Sequence, residues 1–330
     1  MTRPTLITTA LFLFVFCVLK AQNPYTAILF DSKKTYVVRD NELLEGAKKN
    51  TLNPILDFGQ KANTSLIKGN ELWIGTNKGV RIYDLTNLSL LRTEFADIPI
   101  AGLTQDAEGK IWVATTYKGL YKQNDANGFD AKMNAMTNYC VLSTPDKNVY
   151  LGTNIGLYQI PISDEAKTVR YAEEAHSGHG LPDNLVENLY ADASSNLWVM
   201  MPDNVSFKKY DNSFGEIPTF SFVGNKENQI YKVLGLTGEN YLFVTSNGIL
   251  LLPSGSLKHH GHGDEVFSEH DTNAVMLDNT AISKPENLSG EPILYAEKNA
   301  AKIYFYTLKG IWSVKEKKLF KFLKKQAAKK

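Results

Sequence analysis

The chain predicts an all-β fold, a β-propeller of seven four-stranded blades. Three observations carry that prediction: a hairpin phrase that recurs along the chain, a repeat of about 40 residues, and a glycine or asparagine at one fixed turn position. The phrase is plain in "NELWIGTNKGVRIYD" (70–84), "GKIWVATTYKGLYKQ" (109–123) and "KNVYLGTNIGLYQI" (147–160). Aligned on their large second-strand residue, the copies fall at Trp73, Trp112, Tyr150, Trp198, Leu242 and Tyr304, at intervals of 39, 38, 48, 44 and 62. The first intervals match one four-stranded blade, and the later ones carry insertions.

Each part of the repeat has its own reason. Segments such as Leu72-Trp73-Ile74-Gly75-Thr76 alternate with period two and are rich in β-branched and aromatic residues, which favours strands over helical arrays. Six residues after the aligned position stand Gly79, Gly156, Asn204, Gly248 and Gly310, and one extra Thr moves the equivalent to Gly119. A hairpin of this length needs a positive φ near its end, which glycine and then asparagine tolerate. Upstream, "IAGLTQDAEGKIW" and "LVENLYADASSNLW" read as an inner strand and an acidic turn at Asp106 or Asp192, and a polar fourth strand such as "LSLLRTE" follows each hairpin.

The ends are expected to differ from the repeats. Residues 1–22 combine Arg3, an apolar run from Leu11 to Leu19 and Ala21-Gln22, which predicts a cleaved signal peptide and a periplasmic or secreted protein. That run is short for a membrane span, and the mature chain holds no other candidate. "YTAILFDSKKTYVVRDNELLE" (25–45) reads as a unit lacking its inner strand. The seventh blade is therefore expected to close by pairing N- and C-terminal strands, the latter drawn from "KLFKFLKK" (318–325). Six blades with an N-terminal extension is the alternative. The propeller would then span 23–323, and 324–330 would be a basic tail.

Composition narrows the function. The net charge of +1 hides a mature body near −8 once the signal and the last sixteen residues, with eight Lys and one Glu, are set aside. Such a body lacks the basic face that nucleic acid requires. Of the two cysteines only Cys140 survives cleavage, so the mature chain forms no internal disulfide and relies on its apolar core.

"GLPDNLVENLYADASSNLWVMMPDN" together with "LWIGTNKGVRIYD" resembles the two-component regulator propeller repeat over residues 24 to 323. That family forms the extracytoplasmic sensor regions of hybrid histidine kinases, especially in Bacteroidetes. The resemblance implies a ligand-binding sensor propeller, often one perceiving glycan fragments. This sequence has no membrane helix after the repeats, no tyrosine-rich immunoglobulin-like domain and no kinase module. Signalling would thus need a membrane sensor kinase or another envelope protein as partner.

In an up-and-down blade, the connection into the inner strand and the second hairpin emerge on one face, and function on such folds resides in loops. The candidate ligand-binding residues there are Asn77, Lys78, Tyr117, Lys118, Asn154, Asp203, Asn204, Asn247 and Lys309 from hairpins, with Asp183 and Asn184 leading into a blade. Amides, acids and a ring at a channel mouth suit a small glycan or a peptide.

The histidines of "KHHGHGDEVFSEHD" (His259, His260, His262 and His270) and of "HSGHGLPDN" (His176 and His179) read as polar loops without the fixed angles of a metal site. No nucleophile elbow, zinc-protease helix or phosphate loop is present, so no catalytic residue, metal or cofactor is assigned. The reading is an exported, non-enzymatic, sensor-like propeller. The rivals are a metal-assisted propeller lyase or hydrolase, and a scaffold for envelope assembly.

Overall fold

Seven antiparallel sheets succeed one another in the computed structural model, which describes residues 25–31, 34–46, 50–134, 136–173, 180–211, 217–256, 266–278 and 291–327. The predicted signal peptide and His176, His179, His259, His260 and His262 lie outside the described residues.

Numbered as blades in chain order, the sheets begin with inner strands Thr26–Phe30, Ala62–Lys68, Ile100–Gln105, Asn138–Ser143, Asn188–Ala191, Ile230–Leu236 and Tyr295–Asn299. In blades 1 to 4 the strands pair strictly in sequence order. Blade 5 gains a short parallel strand, Val266–Phe267, outside Thr219–Phe220, and blade 6 takes Val275–Asp278 as its outer strand. The insertions thus feed the outer edges of the two blades and leave the radial plan intact.

Two expectations about the ends are corrected. The N-terminal unit is complete, because Thr26–Phe30 is its inner strand, followed by Thr35–Arg39, Glu42–Gly46 and Leu52–Asp57. The segment read as a closing strand is instead a helix, Glu316–Ala327. Leu319 and Leu323, four apart, lie on one face of it and are buried against blades 6 and 7, which a helical period permits.

Among the described residues no strand is exchanged across the closure: blade 7 has three strands, ending at Gly310–Lys315. Closure is by packing. Ile28, Val37 and Leu44 of blade 1 meet Tyr306 and Ile311 of blade 7. Residue 50, in the outer loop of blade 1, sits where an outer strand of blade 7 would end. A Cβ on Gly310 would meet the Asn50 carbonyl at 2.0 Å, much as one on Gly119 would meet Met133 within its own blade.

Strand alternation explains where the core lies. Each blade is covered on both faces, so alternate residues enter different clefts: Leu72 and Ile74 pack back on blade 1, while Trp73 packs forward on blade 3. All six aligned residues follow Trp73, each reaching the next cleft around the ring. The apolar interior is therefore seven inter-blade clusters rather than one mass.

The expected positive φ is taken by Gly79, Gly119, Gly156, Gly248 and Gly310, and four of these hairpins add one bond. The threonine ending the second strand donates its hydroxyl to the turn glycine's carbonyl, as from Thr76 to Gly79 at 2.9 Å and from Thr153 to Gly156 at 2.7 Å. Asn204 departs from the expectation, since it does not take a positive φ. Its carbonyl accepts from the Met201 N–H at 2.9 Å instead.

Candidate functional site

The inner strands of all seven blades surround a central channel of about 870 Å³. Its most regular feature is a set of β-bulges near one end. In blade 2 Ala62 pairs with Thr76 and Thr64 with Gly75, leaving Asn63 without a partner. The same register slip makes Ala101 the extra residue of blade 3, Tyr139 that of blade 4 and Tyr231 that of blade 6. A bulge bends its strand and re-aims one side chain, and here all four extra residues line the channel.

Glu187 of blade 5 and Leu294 of blade 7 stand at the equivalent level, and Thr26 of blade 1 completes the ring. The bulges lie at the mouth where the second hairpins emerge, because Ser246 and Asn154 in those hairpins bond to Gln229 and Thr137 just before the inner strands.

A second layer lies deeper. Lys232 Nζ sits 2.6 Å from Glu297 Oε2 and donates to Tyr295 Oη at 3.2 Å. The same ammonium lies 5.5 Å from the Tyr190 ring centroid and 5.3 Å from that of Tyr295, a geometry that favours the cation in partly desolvated surroundings. Tyr190 Oη donates to the Tyr231 carbonyl at 2.9 Å and accepts from Asn188 Nδ2 at 3.0 Å. Tyr25 Oη and Ser65 Oγ share a bond of 2.9 Å.

Burial raises the pKa of Tyr25 and of Tyr190. At Tyr295 burial and then the Glu297 charge push it well up. These phenols stay protonated at ordinary pH, so each remains a donor as well as a flat apolar surface. Glu187 is exposed at the mouth, with no cation bonded to its carboxylate among the described residues. Five tyrosines, two amides and this acid therefore converge on one cavity: Tyr25, Tyr139, Tyr190, Tyr231, Tyr295, Asn63, Asn188 and Glu187. Among the described residues no three His, Cys, Asp or Glu come together as metal ligands.

The residues singled out from sequence lie around the same mouth, and none lines the channel. Asn77, Lys78, Tyr117, Lys118, Asn154, Asp203, Asn247 and Lys309 are exposed. Asn77 comes nearest to the cavity's wall, its Oδ1 accepting from Asn63 Nδ2 at 2.8 Å. Asn247 donates to the Glu227 carbonyl at 3.0 Å, and Lys309 pairs with Glu291. Asp183 Oδ1 accepts from Leu185 N at 2.9 Å. Asn184 bonds Glu173 through both its side-chain atoms, and Asn204 is half-buried.

Sequence reasoning looked at hairpin tips and missed the inner strands. A signal was present: the ring residues Asn63, Ala101, Tyr139, Glu187, Tyr231 and Leu294 each stand ten or eleven places before the aligned large residue of their blade. Apart from the two tyrosines their side chains differ in chemistry, so only the register unites all six.

Neither a protein-family model nor a curated protein matches the chain. Solved structures do. The extracellular domain of a hybrid two component system from B. thetaiotaomicron superposes with a TM-score of 0.61 at 18% identity, over 89% of this chain and 38% of that one. A second such domain from the same organism gives 0.59 at 15% identity, over 88% and 39%. This chain thus spans under two fifths of the length of those domains. A catalytically inactive virginiamycin B lyase from Staphylococcus aureus, solved with quinupristin, gives 0.61 at 12% identity, over 89% and 96%. What such distant likenesses have in common with this chain is the propeller itself.

Proposed function

We propose that this chain is an exported, non-enzymatic, sensor-like propeller that takes a short carbohydrate or peptide into the mouth of its channel. The observation carrying this reading is the bulge ring, which turns one residue from each of four inner strands into the cavity at a single level. Tyr139 and Tyr231 offer faces on which a pyranose ring or an apolar side chain stacks. Asn63, Asn188 and Glu187 supply directional hydrogen bonds. The rim residues Asn77, Tyr117, Lys118 and Asn154 would touch the parts of a longer ligand that protrude.

The resemblance to sensor propellers supports the same class. A partner in the envelope, such as a membrane sensor kinase, would carry any signal onward.

The test is a thermal-shift screen against oligosaccharide and peptide panels, followed by calorimetry on hits. A ligand selective for the folded state raises Tm. Tyr139→Ala and Tyr231→Ala are each expected to weaken binding about tenfold, the loss of one stacking face worth ~1.4 kcal/mol. Hits whose affinity ignores both variants would overturn the site. Turnover of a polysaccharide fragment would favour a lyase or hydrolase.

A further inference from the structure

At the end of the ring opposite the mouth, the molecule carries a surface of different character. The strand Gly310–Lys315 runs from its mouth-side hairpin to the far end, where the C-terminal helix begins. Glu316 anchors the start of that helix. Its N–H donates to the Ala301 carbonyl, and its carboxylate accepts from the Thr237 N–H and pairs with Lys298 Nζ at 2.9 Å. Ala301 and Thr237 both lie in the turn between first and second strands, of blades 7 and 6 respectively.

With Leu319 and Leu323 turned inward, the helix leaves Lys317, Lys321, Lys324 and Lys325 exposed, and Lys302 and Lys315, a cross-strand pair, extend the patch. Among the described residues no carboxylate pairs with any of these six, and the one acid on the helix, Glu316, is buried and already engaged. Six unneutralised cations thus crowd one corner of a body whose overall charge is negative. At the same end of blades 3 and 4, by contrast, Lys122 pairs with Glu108 and Lys167 with Asp164.

We propose that this lysine face docks the propeller onto a bilayer surface containing anionic phospholipid. The chemistry favours lipid over an acidic protein. All six cations are lysines, whose flexible stems suit laterally mobile headgroups, whereas fixed carboxylates are gripped best by the planar fork of arginine. The helix spends its leucines inside the protein, which leaves no apolar stripe for a partner helix. Phe320 and Phe322 remain half-buried at its flanks, with Lys324 Nζ 4.5 Å above the Phe320 ring. Attachment is electrostatic, reversible and screened by salt. It holds the channel mouth away from the lipid, whatever the channel binds.

The experiment is vesicle co-sedimentation of the chain from residue 23, which keeps every described strand and removes the apolar leader. Phosphatidylcholine vesicles are compared with vesicles containing phosphatidylglycerol, at low and high salt. Capture is expected only on the anionic vesicles at low salt, and K317E/K321E/K325E is expected to weaken it at least tenfold with Tm unchanged. Should that variant misfold, K317S/K321S/K325S supplies the same comparison with a smaller charge change. Equal capture on both vesicles, or undiminished capture of a folded variant, would overturn the proposal. Binding to polyglutamate without binding to vesicles would do so too.

Discussion

Cys140 shows what a single side chain in this ring is for. It touches the channel wall yet is only 9% exposed, and burial pushes its thiol up to about 12. The thiolate is the reactive form, so iodoacetamide at pH 8 should label native Cys140 roughly 10³-fold more slowly than the urea-unfolded chain. Equal rates would mean the thiol is open to the channel. Its apolar context in "NYCVLST" makes this legible from sequence. Asp106 and Asp192 are equally legible. Asp106 Oδ1 accepts from Glu108 N and Lys110 N at 2.9 Å each, while Oδ2 accepts from Trp112 Nε1 at 2.7 Å. Asp192 closes its own turn in the same way and also takes the Tyr241 hydroxyl. Turn chemistry is local, and a few adjacent letters encode it. Tyr139 and Tyr231 escaped notice because a bulge is a relation between two strands, and neither strand announces it alone.

Among elements, the C-terminal helix was the hardest to read. Leu319, Phe320, Phe322 and Leu323 among lysines satisfy a strand's alternation and a helix's four-residue spacing together. What decides is apolar surface on blades 6 and 7, Leu234 and Leu236 included, which the two leucines cover. Glu316 ties the helix down. Burial alone would raise its pKa, but the Thr237 N–H and the Lys298 ammonium outweigh it and hold the carboxyl below the ordinary glutamate range. A depressed folded pKa stabilises the protein above the unfolded-chain value, and the contribution fades as pH falls through the folded one. Glu316→Gln should therefore cost about 1–3 kcal/mol at pH 7 and progressively less as pH falls below the ordinary glutamate range, read by urea unfolding at neutral and at acid pH. A penalty equal at both pH values would point to shape rather than charge.

For the whole molecule, blade number and strand order were legible because each hairpin writes its own turn. The manner of closure was not, since it depends on which surfaces meet after some 270 residues have gone round the ring. Leu44 at the closing cleft and Leu151 between blades 3 and 4 are both buried among aliphatic and aromatic neighbours. Truncating either to Ala should cost about 2–5 kcal/mol and leave one cooperative transition, as calorimetry would register. A second transition appearing only in Leu44→Ala would mean that the ring opens at its seam before the blades unfold.

That seam sets a timetable for synthesis. The first blade emerges with Ile28, Val37 and Leu44 bare on one flank, and their cover, Tyr306 and Ile311, comes almost last. No earlier stretch of chain can occupy that flank in the finished arrangement. A nascent molecule therefore trails a sticky edge until its final blade arrives, and chaperone protection is needed most just before the end.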